Sequence, residues 1–157
     1  EYRAHGHDAE AQRALERARE NFQVVGRGRP MAHMADFPLG DWAQVRENWR
    51  DAAVLRNGGY RGYGQLGIAL AHLGDGAGAL AMEAAIEREI HHPDGGAILF
   101  KAMIEEALGN RRRALSLVQE AVADGIGPAI MLHTHAATGF ASMREDPTFK
   151  GWLRERQ

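Results

Sequence analysis

The chain has 157 residues, 45% of them hydrophobic and 25% charged, with a formal net charge of -2 and no cysteine. A chain of that length builds a core without metal or disulfide staples, and without cysteine it has no disulfide framework, thiolate nucleophile or thiolate metal site. A balance so close to neutral excludes a broad electrostatic pull toward nucleic acid or anionic lipid, while 7% aromatics and few β-branched residues lean away from sheet.

In chain order, Glu1 to His5 read as the tail of a helix whose start is missing, and Gly6 begins the first turn. Helices are then predicted over about 8–21, 30–38, 41–56, 60–73, 75–90, 95–108 and 110–124. "VVGRGRP", "RNGGYRG" and "HHPDGG" are read as turns between pairs, being rich in residues that break helices. The tail "FASMREDPTFKGWLRERQ" carries Asp146 and Pro147 as an N-cap and first-turn pair, with Phe149, Trp152 and Leu153 able to cover an apolar end.

The turn glycines recur. Gly6, Gly40, Gly74 and Gly109 are separated by 34, 34 and 35 residues. Five residues beyond each stand Ala11, Val45, Ala79 and Ala114; nine beyond, Leu15, Trp49, Glu83 and Val118; twelve beyond, Ala18, Ala52, Ile86 and Ala121. Those offsets trace one helix face that is small or apolar everywhere but Glu83. Each glycine therefore ends one helix and the residue after it opens the next. Asp41 with Gln44 has the spacing of a capping box.

A helical pair of about 34 residues, with "LGD" at Leu39 and at Leu73, "LGN" at Leu108, "LG" at Leu66-Gly67, and Ala79, resembles the tetratricopeptide repeat. The resemblance covers residues 1 to about 124 and implies an all-α, right-handed superhelix of helical hairpins with a C-terminal cap. The implied units are about 1–25, 26–59, 60–94 and 95–128, with the cap over 129–157. The family's aromatic late in the first helix is Tyr2 here and is replaced by Leu70, Asp36 and Glu105 in the other units, so the second and fourth are expected to be distorted. Pro38 is expected to shorten its helix. The ending also resembles the C-termini of repeat regions in multidomain bacterial signalling proteins. The sequence opens inside a repeat without a methionine and so reads as a fragment of a longer protein, and the absence of cysteine fits an expected cytoplasmic location.

Catalytic patterns are weak. Ser116 and Ser142, the two serines, lie outside any nucleophile elbow. The pairs Glu105-Glu106 and Asp8 with Glu10 read as solvated charge, and Arg111 to Arg113 as the exposed start of a helix. His5, His7, His91, His92, His133 and His135 do not form a His-Glu-x-x-His or supply a third ligand, so no native metal or other cofactor is expected. "RGRP" at Arg27 resembles an AT-hook core but sits in a turn, and no nucleic-acid partner is expected. The apolar runs, such as "QLGIALAHLG" from Gln65, fall short of the roughly 20 residues that span a bilayer, so no membrane insertion is expected.

In the resembled family the first helices line a concave groove. By offset this implies a groove of Met31, Met34 and Phe37, then Arg61, Gln65, Ile68 and His72, then Leu99, Phe100, Met103 and Glu106. The expected function is that of a protein-interaction module, not an enzyme, holding a partner's apolar helix or extended peptide. The alternative is a regulatory domain sensing an apolar small molecule in the same groove. A chaperone-type carboxylate clamp is excluded by Met34 and Ile68, which stand where its asparagines would. The partner's identity and the oligomeric state are not written in the sequence.

Overall fold

The computed structural model describes residues 7–24, 33–89, 94–126, 140, 143 and 146–154, with the side chains of 22–24, 33–34, 53 and 152–154 outside that description. Among the described residues every regular element is helical. The elements are α1 (Asp8–Val24), α2 (His33–Leu39), α3 (Trp42–Asn48), α4 (Ala52–Asn57), α5 (Gly59–His72), α6 (Gly76–Glu89), α7 (Gly95–Ala107), α8 (Arg111–Ala123) and α9 (Pro147–Arg154). α5 pairs with α6 and α7 with α8, while α5 also lies along α7 and receives α3 and α4 on its other side.

The predicted turns recur in the backbone. Gly40, Gly74 and Gly109 have φ of 74°, 85° and 82°, a left-handed conformation that side chains resist. At each one the same two hydrogen bonds close the preceding helix. Gly40 N–H donates to Phe37 and Asp41 N–H to Asp36; Gly74 and Asp75 reach Ala71 and Leu70; Gly109 and Asn110 reach Glu106 and Glu105. This is the Schellman arrangement, which satisfies carbonyls left free at a helix end. The next helix is then capped by a side chain at two of the three turns, while Asn110 makes no such cap before α8. Asp41 accepts from Gln44 N–H at 3.2 Å, and Asp75 from Gly78 N–H at 2.8 Å. The reciprocal half of the expected capping box is absent: the Asp41 N–H donates to the Asp36 carbonyl, and the Gln44 Nε2 donates forward to Asn48 at 3.0 Å.

The face five residues beyond each glycine is buried throughout, at Ala11, Val45, Ala79 and Ala114. Twelve beyond, Ile86 and Ala121 are buried but Ala52 is exposed. The reason is a break. The helix predicted over 41–56 divides at Trp49 to Asp51, where Asp51 caps α4 by accepting from Val54 N–H at 3.1 Å. Trp49 turns into a slot floored by Gly58 and Gly62, and its indole N–H donates to Gln65 at 3.0 Å. A Cβ on Gly58 would stand 2.6 Å from that indole, so the slot exists only because glycine is there. Much of "RNGGYRG", expected as a turn, is accordingly helix. Pro38 does not end its helix early, since α2 continues to Leu39.

α5 and α7 meet through glycines. Cβ atoms built on Gly64 and Gly67 would lie 2.3 Å from Phe100 and 2.6 Å from Ile104, so the two helix backbones approach to a distance that alanine forbids. Phe149, Phe140 and Met143 are fully buried in the same core as Leu117 and Val118.

Candidate interaction surface

The expected groove residues separate into two groups. Ile68, Leu99 and Met103 have no exposure at all, Phe100 is 2% exposed and Phe37 5%. They belong to the packing between helices. Glu106, 8% exposed, is tied to Arg111 by two hydrogen bonds of 2.7 and 2.5 Å. Met31 and the side chain of Met34 lie outside the described residues, as do His5, His91, His92, His133, His135 and the "RGRP" segment. What reaches the surface is polar: Arg61 and His72 are exposed and Gln65 is half-buried.

Spacings of 4, 3 and 4 place Arg61, Gln65, Ile68 and His72 on one face of α5. Arg61 sits beside Tyr60, its guanidinium carbon 6.0 Å from the ring centroid, at the outer margin of a cation–π contact. Gln65 is held by the Trp49 indole described above. His72 stacks on Trp42 with ring centroids 4.2 Å apart and planes 5° from parallel, and Trp42 meets the edge of Phe37 at 5.7 Å. Partial burial lowers the His72 pKa below the ordinary imidazole value. The neutral ring is therefore the favoured form, although a helix C-terminus by itself favours the cation.

Below this surface lies a charge network not foreseen from the spacing. Asp36, 1% exposed, stands where the family pattern has an aromatic. Arg19 of α1 reaches Asp36 Oδ1 with Nε at 3.1 Å and Asp41 Oδ2 with Nη2 at 3.0 Å, while Asn48 donates to Asp36 Oδ2 at 2.8 Å. Arg19 thus fastens α1 to the turn between α2 and α3. The contact to Oδ1 is an ion pair without a well-directed hydrogen bond. Glu105, at the matching position of the fourth unit, is also buried, and Asn110 donates to it at 2.7 Å. Glu105 and Glu106, expected as solvated charge, are therefore buried and paired. Arg111, expected to be exposed, is held by Glu106, whereas Arg112 and Arg113 are exposed.

Replacing Arg19 with alanine leaves the buried Asp36 carboxylate with Asn48 alone. The expected loss is about 3 kcal/mol, the lower end of the range for a buried charge deprived of its partner, because Arg19 is itself partly exposed. Chemical denaturation of Arg19→Ala, Asp36→Ala and the double variant reads it, with the double losing less than the sum.

Among the described residues no group of three His, Asp or Glu side chains is placed to hold a metal ion, and no helix is long and apolar enough to cross a membrane. No family model matches the chain, and no curated protein or solved structure matches it either.

Proposed function

We propose that the chain is a protein-interaction module of the tetratricopeptide type, a right-handed superhelix whose first helices present one binding surface, and that it is not an enzyme. The observation carrying this reading is the recurrence of one hairpin-closing turn at Gly40, Gly74 and Gly109, with α5 laid directly along α7. Repeating hairpins that contact mainly their neighbours produce an extended surface, which is suited to holding a partner chain.

The surface offered along α5 is mixed. Arg61 supplies charge at one end, Gln65 an amide in the middle, and the Trp42–His72 pair a flat apolar area at the other. A partner helix or extended peptide with a carboxylate near Arg61 and an apolar side chain on the stacked rings matches that order. The buried Ile68, Leu99, Phe100 and Met103 support the surface from below. They do not anchor the partner, so a charged residue at Met103 would unfold the chain before it reported on binding.

The test is capture of a partner from the protein's own cell extract by wild type, by Arg61→Glu with His72→Glu, and by Arg112→Glu on the exposed face of α8. Capture should be lost with the α5 pair and kept with Arg112→Glu, circular dichroism being unchanged in both. Retained capture by the α5 pair removes this surface from consideration.

A further inference from the structure

The internal repeat marks one residue as out of place. At the offset occupied by Leu15, Trp49 and Val118 in the other units, α6 carries Glu83. Its side chain is 8% exposed, and no described residue donates a hydrogen bond to it.

The groups around Glu83 do not neutralise it. From α7 it faces Glu105 and Lys101, from α8 Arg113, and from its own helix Glu87. α5, the other helix packed on α6, sets no charged group against it. Lys101 directs its ammonium to Glu87 at 2.5 Å, which holds the Glu87 carboxyl below its usual range. Glu105 is committed to Asn110. Arg113 is exposed and screened by water. Glu83 is left with burial and a like charge across the helix interface, both of which disfavour its ionised form.

We propose that Glu83 makes the packing of α6 on α7 proton-dependent, the third hairpin holding the fourth more firmly when Glu83 carries a proton than when it is ionised. In the folded chain burial first, and the Glu105 carboxylate second, raise the Glu83 pKa above its ordinary value. A carboxyl so raised binds its proton more tightly folded than unfolded. The folded state therefore loses stability as pH rises through the unfolded value and then the folded one, and the loss is complete above the latter. Glutamine has the shape of the protonated acid and cannot ionise.

Chemical denaturation of wild type and Glu83→Gln across pH 4 to 8 tests this. The two midpoints should coincide at the acid end, and the variant's should move progressively to higher denaturant as pH rises. A gap that does not change with pH, or a wild type more stable than the variant at pH 8, overturns the proposal. The second result would mean that Lys101 and Arg113 stabilise the carboxylate after all. Carbon NMR of the Glu83 carboxyl reads the same property directly: titration above the ordinary glutamate range is expected, and titration at or below it overturns the inference independently of folding.

Discussion

Gly64→Ala should destabilise the protein, although glycine to alanine inside a helix normally helps. Two effects of opposite sign compete at this position. Helix propensity favours alanine over glycine by about 1 kcal/mol. Against it, the added Cβ would lie 2.3, 2.5 and 2.7 Å from Phe100 Cδ1, Cγ and Cβ. Phe100 is 2% exposed with its ring against Tyr60, and its own Cβ belongs to the close contact, so it cannot swing clear. Over-packing of a tight core costs about 1–3 kcal/mol, enough to reverse the sign. Gly64→Val should cost more again, adding branched carbons to the same contact. Gly151 in α9 provides the control, because no described residue lies within 4 Å of the position its Cβ would take. There alanine should gain roughly 0.5–1 kcal/mol. Urea midpoints of the two alanine variants, moving in opposite directions, are the expected result. Gains at both positions would mean that α5 and α7 are free to separate.

The glycine seam is a long-range feature, unlike the turns between helices. The hairpins were legible because a positive-φ turn and its cap are local: Gly40-Asp41, Gly74-Asp75 and Gly109-Asn110 state in two residues where one helix ends and the next begins. Their boundaries consequently agree with expectation to within one or two residues for α5 to α8. The break at Trp49 was not legible. It depends on Gly58 and Gly62 across the turn, and a helical periodicity read along one segment has no term for a slot in another. Gly62 was assigned to a turn, and Gly64 and Gly67 were placed inside a helix without a packing role, because their value lies in what approaches them across the fold.

The proposed interaction surface was harder to read. Offsets identify which face of a first helix a residue occupies, but an apolar residue on that face can anchor a partner or pack beneath it. Ile68, Leu99, Phe100 and Met103 do the second. The departures from the repeat pattern carried more information than the matches. Asp36, Glu83 and Glu105 all stand at positions that are apolar in other units, and all three are buried among charged or polar groups. A charged residue at a core offset implies a compensating neighbour elsewhere in the chain. Asp36 has Arg19 and Glu105 has Asn110, whereas Glu83 has no hydrogen-bond donor among the described residues and only the more distant charges of Lys101 and Arg113 against burial and Glu105.

Removing residues 144 to 157 should have the largest effect on the whole chain. Asp146 opens α9, accepting from Thr148 N–H at 2.8 Å and Phe149 N–H at 3.3 Å, with the Phe149 bond foremost in holding its carboxyl below the ordinary range. That turn delivers Phe149 into the core, fully buried and 5.7 Å from the ring of Phe140. Phe149→Ala alone should cost about 3–5 kcal/mol, the range for emptying a buried aromatic site. In a domain of this size that lowers the melting temperature by roughly 10 °C. The truncation goes further, since Phe140 and Met143 lose their cover and the α7–α8 hairpin has no following unit to take its place. Trp152, expected to share this role, has its side chain outside the described residues. Against a typical total of about 5–15 kcal/mol, a loss of this size leaves the truncated chain partly unfolded near 37 °C. Thermal melting with hydrogen exchange reads it, and protection should disappear first in α8. A truncated chain that melts with the intact one would show that the fourth hairpin is complete without α9.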